Sequence, residues 1–428
     1  MKKIPLYAQI FIALFLGVGL GVLSVLTGGN IFVIDWVKPW GEIFMRLLKM
    51  IAVPLIVVSL TKGIANLEDI SKLSRMGLKT ISLYVASTIL AVSIGLVLVN
   101  IIQPGSFFTE EARKDLMETY STDVVVKKDI ADSQKEKGPL SFIVDMVPQN
   151  IVQASSSNRN MLQLIFFTIL FGIAIVVLPR DKTERLRVLV DELNDVILKI
   201  IDFIMKFSPI GVFALMAGII VEVAGDDIEK TYQLFSALAL YSLTVVLGLV
   251  VLILIIYPLL IKLITNLKYK DFIRGILPAQ LLGFSTSSSA ATLPVTMECA
   301  EDNLKLKKEV TSFVLPIGAT INMDGTSLYQ AVAAVFIAEA FGFDLSLGQQ
   351  LIIVLTATLA SIGSAAVPGA GIVMLVIVLE AIHIPSVGIA LIFATDRPLD
   401  MLRTATNITG DLTIASIINK TEERKGSL

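Results

Sequence analysis

Cysteine and histidine are almost absent from this sequence. A single cysteine, Cys299, excludes an intramolecular disulfide and a cysteine-based metal cluster, and a single histidine, His383, excludes paired-histidine zinc or proton-relay chemistry. Charge is scarce as well. Only 17% of the 428 residues are Asp, Glu, Lys or Arg, against about 25% in a soluble protein, which is thin cover for the surface of two or three soluble domains. There is no basic excess: 35 Lys plus Arg against 37 Asp plus Glu leave a net charge of -2, so no electrostatic footprint for nucleic acid exists. The chain also has no His-Glu-x-x-His or Gly-x-Ser-Gly motif, which leaves an intramembrane hydrolase without a base or an activated nucleophile.

What the sequence does have is apolar length. Hydrophobic residues make up 55% of it, and the mean hydropathy is +0.80. Apolar runs at 8–26, 43–60, 80–102, 141–178, 193–223 and 234–264 are long enough to cross a hydrocarbon layer of about 30 Å, with bends expected at Pro148, Pro209 and Pro258. No small-x-small cleavage site follows the first run, so it is predicted to be a transmembrane helix and not a cleaved signal. Lysine and arginine gather on one side of these spans, at Lys2, Lys3, Lys62, Lys72, Arg75 and Lys79 and in the clusters within 180–187 and 262–274. The short loops on the other side hold Lys38 and Lys230, so the positive-inside rule places the N- and C-termini in the cytoplasm. Residues 103–140 mix eight acids with six bases and read as a mobile extracellular loop.

The last third departs from simple spans. A Ser-rich break, Gly283 to Pro294, lies between basic clusters of the inside type, which describes a segment that enters the bilayer and returns, over about 271–300. A second break, Ser361 to Gly371, interrupts an apolar segment at 351–381 that has no Lys or Arg on its flanks; if 310–340 is a full span, this one enters from outside. Ser289-Ala290-Ala291 before Pro294 and Ser364-Ala365-Ala366 before Pro368 echo one another, and paired interrupted segments in inverted orientation point to a binding site near the midplane.

Polar residues then appear where lipid would penalise them. The stretch Thr320-Ile321-Asn322-Met323-Asp324-Gly325-Thr326 puts an aspartate at membrane depth, at a cost of about 2.5–3.5 kcal/mol unless something pairs with it. Gly325 is expected to unwind the backbone there, so that carbonyls join Asn322 and Asp324 in an oxygen cage for a small cation; a buried aspartate capping a helix break is the plainer alternative. In the final apolar segment, about 386–419, Asp396, Asp400, Arg403, Thr404, Asn407 and Asp411 recur at steps of three and four, within an arc of about 100° on a helix. A solvated face would show the same stripe, but 387–395 before it and 412–418 after it are apolar. Arg403, surrounded in sequence terms by Asp400, Asp411 and Asp324, suits a carboxylate, and Asp400 suits an ammonium group, so an amino acid with a second carboxylate satisfies both. The surplus acids call for cations, whose entry could drive uptake.

At Ser287–Pro294, Asn322–Thr326, Gly363–Gly371 and Asp400–Asp411 the sequence resembles the glutamate/aspartate transporter family, the dicarboxylate/amino acid:cation symporters that include the excitatory amino acid transporters, over nearly the whole chain. The resemblance implies an all-α membrane protein with eight transmembrane helices and two re-entrant helical hairpins related as inverted repeats, the glutamate-transporter fold, assembled as a homotrimer in the cell membrane. It implies a scaffold from 1–79 (helices one and two) and 141–223 (four and five), with 103–140 as the extracellular loop. A transport domain would comprise 80–102 (helix three) and 231–428, sliding like an elevator with the outer hairpin as gate. It implies substrate contacts at Ser288, Ser289, Thr326, Val367, Gly371, Asp400, Arg403, Thr404 and Asn407. One sodium site would use Gly318, Asn322, Asn407 and Asp411, a second Tyr84, Ser87, Thr88, Asn322 and Asp324, and a third backbone groups of Thr320, Ser361, Ile362 and Ser364. The implied activity is sodium-coupled symport of aspartate or glutamate, with a proton-coupled glutamate/aspartate or C4-dicarboxylate symporter as the alternative. Archaeal relatives carry an arginine where this chain has Ser287, and animal members carry one where it has Met401; the spare arginine here is Arg397, ahead of Pro398.

Overall fold

The structure, a computed structural model, describes residues 6–65, 75–108, 144, 147–156, 160–224, 228–265, 267–362 and 369–426. Among these residues every regular element is helical and no strand is present. The expected extracellular loop lies almost entirely outside the described residues.

Helices α1 (Leu6–Thr27), α2 (Lys38–Leu55) and α3 (Thr61–Ala65) open the chain, α2 running into α3 through a wide turn at Ile56–Leu60 just after Pro54. α4 (Arg75–Ile102) follows, then the short α5 (Ile151–Ser155), α6 (Met161–Val177) and α7 (Arg180–Ala224). The first bundle is built on glycines. On α1, Gly17 lies against the Phe213 carbonyl and Gly21 against Ile220, while Gly211 of α7 faces the Phe44 ring of α2. A methyl group at any of the three would collide, so small residues let these backbones approach, as helices without a hydrophobic drive between them require.

α8 (Ile228–Val251) continues through a wide turn into α9 (Tyr257–Ile264), so Pro258 sits in the first turn of α9, where its missing N–H costs nothing. α10 (Tyr269–Thr286) and α11 (Ser289–Glu298) form a pair that doubles back: Ser287 takes a left-handed conformation, φ 52°, and the Asn303 side chain donates to the Gly275 carbonyl at 2.7 Å. α12 (Lys308–Ile321) and α13 (Asp324–Ala340) come next, then the packed pair α14 (Leu347–Ile362) and α15 (Ala370–Ala381), and finally α16 (Ile389–Gly426). Residues 363–368, within the expected second hairpin tip, lie outside the described residues.

α13 is the axis of this second bundle. All but one of its residues are buried, against α4, α8, α14, α15 and α16, and a helix enclosed all round is a core helix.

Three sequence expectations change. Residues 310–340 are not one helix, because the chain leaves helical geometry at Asn322 and Met323. The run 141–178 yields a short helix at Ile151–Ser155, capped by Asn150, and a separate Met161–Val177, since Pro148 and the serines at 155–157 favour breaks over one long span. The run 193–223 is the later two thirds of a helix of 45 residues, about 65 Å long, which carries Pro209 without interruption and extends well past one bilayer thickness. Among the described residues five helical stretches are long and apolar enough to cross a membrane: Ala8–Thr27, Asn30–Ala65, Met76–Phe107, Arg180–Glu222 and Tyr232–Ile264. Large apolar side chains such as Phe15, Leu23, Leu243 and Leu254 project from them, as a lipid-facing surface would have it.

One half-buried clamp ties the first bundle together. The Arg187 guanidinium donates to the Ala65 carbonyl at the end of α3 and to the Ile175 carbonyl near the end of α6, both at 2.8 Å; the Ile175 carbonyl lacks a helical donor because Pro179, four residues on, has no N–H. Arg187→Met keeps the side-chain volume and removes both donors. We expect it to lower stability by about 3 kcal/mol, read as an earlier thermal unfolding transition of detergent-purified protein; an unchanged transition would show the clamp to be idle.

Candidate functional site

α16 carries the polar stripe, and the structure encloses it. Asp396, Asp400, Arg403, Thr404, Asn407 and Asp411 are all buried, and so are Leu399 and Ile408 on other faces, which removes the solvated-face alternative. A helix this buried must spend its polar groups on neighbouring protein, and two clusters result.

The first centres on Arg403, which has no exposed surface. Its Nη2 donates to Asp400 at 2.8 Å and to Asp396 at 2.9 Å. Its Cζ stands 3.7 Å from the Tyr329 ring centroid, a cation–π stack on α13. Nε and Nη1 have no partner. The sequence expectation of Asp411 and Asp324 around this arginine is corrected: helical side chains lean toward the N-terminus, so Arg403 meets acids three and seven residues before it, while Asp411 stands about 12 Å farther along the axis. Gly371, at the start of α15, faces the same guanidinium; a Cβ there would come within 3.5 Å of Nη2 and 3.2 Å of the Thr326 methyl. Asn407 completes this wall, donating to the Thr326 hydroxyl at 3.2 Å and accepting from the Gly325 N–H at 2.8 Å.

Arg397 turns inward as well. Its Nη1 donates to Asp400 Oδ2 at 3.2 Å, and Gly369 N–H, at φ 80°, donates to the same oxygen at 3.3 Å.

The second cluster centres on two carboxylates that no Lys or Arg reaches among the described residues, Asp324 and Asp411. Asp324 has no exposed surface and accepts from three hydroxyls: Thr88 at 3.0 Å, Tyr257 at 2.9 Å, and Ser87 in a very short contact. Asp411 accepts from the Asn322 amide at 2.9 Å, leaving the Asn322 carbonyl oxygen buried without a partner. A Cβ on Gly318 would come within 2.6 Å of Asp411 Oδ1 and collide with the Tyr84 hydroxyl, so this glycine leaves the α12 backbone bare against the acid. Tyr84 itself donates to the Val314 carbonyl at 3.1 Å. No group of three His, Cys, Asp or Glu side chains gathers among the described residues. The available donor set is therefore oxygens of mixed type, two carboxylates with amide, hydroxyl and backbone groups, which suits a hard monovalent cation.

The break between α12 and α13 has its own device. Ser361, on α14, donates to the Ile321 carbonyl at 2.7 Å and accepts from the Met323 N–H at 3.1 Å, satisfying two of the backbone groups that the break leaves open. Gly325 does not do the unwinding: it lies in the first turn of α13, and glycine is required there because a Cβ would come within 2.8 Å of the Arg403 carbonyl.

The remaining sequence candidates fall around these clusters. Ser288 caps α11, accepting from the Ala291 N–H at 3.2 Å, and Ser289 is buried beside it. One turn earlier, Gly283 packs on Ile408 and comes near Thr404, which sets the α10–α11 tip against the stripe. Thr320 is exposed and donates to the Ile317 carbonyl, and Ile362, which follows Ser361, packs on the cluster that contains Ile321 and presents its carbonyl to Gly63. Ser364 and Val367 lie outside the described residues. Sequence reasoning missed Tyr257 and Tyr329. Their common signal is a hydroxyl-bearing ring in an otherwise apolar helix, as at Tyr84.

With that geometry in hand, comparison with known proteins is specific. Residues 6–421 match the model of the sodium:dicarboxylate symporter family. The chain is 36% identical to excitatory amino acid transporter 3 of Oryctolagus cuniculus, over 99% of this chain and 87% of that protein. It is 38% identical to excitatory amino acid transporter 1 of Ambystoma tigrinum, over 88% and 76%, and 38% identical to excitatory amino acid transporter 5 of Homo sapiens, over 88% and 75%. A match of this extent leaves a transporter and not an enzyme, and the chain belongs to the sodium:dicarboxylate symporter family.

Proposed function

We propose that the protein is a sodium-coupled symporter of acidic amino acids, aspartate or glutamate, in the cell membrane. The observation that carries this reading is the buried Arg403 guanidinium with Nε and Nη1 unpartnered, together with a second cluster of two buried carboxylates, Asp324 on α13 and Asp411 on α16, that no Lys or Arg reaches among the described residues. The distal carboxylate of the substrate takes the open Nε and Nη1 positions, and its ammonium group takes Asp400. Amides and hydroxyls of Ser288 and Ser289 at the α11 N-terminus hold the other carboxylate, with Thr326, Val367, Gly371, Thr404 and Asn407 shaping the walls.

Sodium is carried with the substrate. Asp324 and Asp411 are two uncompensated charges in a dry interior, and each demands a cation when the acidic ligand adds more negative charge. Gly318, Asn322, Asn407 and Asp411 form one sodium site, and Tyr84, Ser87, Thr88, Asn322 and Asp324 another. A third, at Thr320, Ser361, Ile362 and Ser364, belongs to the gate. The orphaned Asn322 carbonyl oxygen favours a metal ion over the proton of the alternative reading, since an amide oxygen ligates sodium and does not take up a proton near neutral pH. Each charge driven inward through 100 mV contributes about 2.3 kcal/mol to uphill uptake.

Movement is of the elevator type. α10–α11 and α14–α15 are two re-entrant hairpins within eight spanning helices, and a transport domain of 80–102 and 231–428 slides past a scaffold of 1–79 and 141–223 in a homotrimer whose chain termini are cytoplasmic. What supports this is the character of the seam: Phe44 meets Phe393 edge-on at 5.0 Å, and Met205 abuts Gly369, apolar contacts that can exchange without stranding a charge.

Protein reconstituted in liposomes is expected to accumulate radiolabelled aspartate when a sodium gradient points inward. Uptake that persists with choline in place of sodium, or that follows a proton gradient alone, would overturn sodium coupling. Arg403→Ala is expected to weaken aspartate binding at least about thirty-fold, measured by calorimetry in saturating sodium; unchanged affinity would remove Arg403 from the substrate site. Asp411→Asn removes one ligand charge, and the sodium concentration for half-maximal uptake is expected to rise about tenfold or more, which a sodium titration of uptake reads directly.

A further inference from the structure

Asp400 holds more cation than one carboxylate requires. Arg403 Nη2 occupies Oδ1 at 2.8 Å, and Arg397 Nη1 and the Gly369 N–H occupy Oδ2 at 3.2 and 3.3 Å. The Arg397 side chain is 13% exposed and its Nε is buried without a partner, so this guanidinium is drawn into the protein to reach Asp400 and is poorly satisfied otherwise. Nothing in the local fold calls for it there: Pro398 follows it, α16 is continuous through both, and an exposed rotamer would hydrate all five of its donors.

The charge count shows what it does. Asp396 and Asp400 carry two negative charges, and Arg403 supplies one positive charge to both. Without Arg397 the cluster is left at net -1; with it the cluster is neutral while no ligand is bound. We propose that Arg397 is a resident counter-cation that stands in for a substrate's ammonium group at Asp400, and that it sets how far the site accepts dicarboxylates lacking an amino group. This rests on the acidic-substrate reading above and extends it to substrate class.

Selectivity here is a difference between two competitions. An amino acid brings its own ammonium group, so it must displace Arg397 from Oδ2, and Arg397 taxes its binding. Succinate brings two carboxylates and no cation. With Arg397 in place, Asp400 stays neutralised while succinate occupies Arg403; with Arg397 gone, a buried carboxylate is left competing with the ligand for one guanidinium, which is the costly arrangement. Removing Arg397 therefore penalises succinate and spares or strengthens aspartate.

The test is calorimetry on the full-length protein in detergent at saturating sodium chloride, titrating aspartate and succinate into the wild type, Arg397→Met and Arg397→Lys. Wild type is expected to bind both. In Arg397→Met the ratio of succinate to aspartate dissociation constants is expected to rise at least about tenfold, the scale of one lost charged contact. In Arg397→Lys, which keeps the cation, the ratio is expected to return toward wild type. A general structural defect would weaken both ligands together, so equal changes, an unchanged ratio, or a lysine variant behaving like methionine would overturn the proposal. So would a wild type that binds aspartate and not succinate. If Arg397→Met does not fold, Arg397→Gln replaces it under the same criteria. A wild type that binds neither ligand in sodium removes the acidic-substrate reading, and this inference with it; aspartate binding with an unchanged ratio removes this inference alone.

Discussion

A guanidinium without exposed surface is an expensive thing to keep, and much of the second bundle is arranged around the cost of keeping Arg403. Its charge is met by Asp396 and Asp400 from the preceding turns of α16, and its flat face is met by Tyr329. Those contacts in turn require α13 to lie against α16, which Gly325 permits by offering no side chain to the Arg403 carbonyl. They also require the start of α15 to come close at Gly371. Leaving Nε and Nη1 open is tolerable only because so much else holds the side chain still, and it is that residual demand which makes the interior a place for an anion.

The two carboxylates of the second cluster, Asp324 at the start of α13 and Asp411 on α16, pose the opposite problem. Asp324 is held by three hydroxyls from two helices, Ser87 and Thr88 on α4 and Tyr257 on α9. Hydroxyls hold a carboxylate without cancelling its charge, whereas an arginine would have ended its appetite for a cation. The cluster around Arg403 and the cluster around Asp324 and Asp411 thus carry opposite electrostatic demands side by side, where α13 lies against α16. Asn407, between them, bonds both Gly325 and Thr326, so the two are joined by a single amide.

The stripe on α16 and the Asn322–Asp324 stretch were legible in the sequence because polar residues in apolar surroundings announce themselves. Composition and apolar run lengths pointed to membrane spans, and the all-helical class came with the family resemblance. Other features were hidden for physical reasons. Which acids meet Arg403 depends on the lean of helical side chains, which spacing on a wheel does not encode. The role of Tyr257 depends on α9 crossing α13, a contact between residues 67 apart. The break at Asn322 was placed at Gly325 because glycine is the usual sign of unwinding; the chain instead breaks two residues earlier, where Ser361 of another helix supplies the missing partners. The split within 141–178 reflects local competition by Asn150 and serines, which an average over hydropathy conceals.

Ser361 belongs to α14, yet it completes the backbone of the α12–α13 junction. Were α14 to withdraw, the Ile321 carbonyl and Met323 N–H would both be stripped of their partner, at a cost of about 1–3 kcal/mol for each, unless water or an ion arrived to replace the hydroxyl. The latch of one helical pair is therefore also a bolt through the floor of its neighbour, and whatever wets that junction loosens both at once.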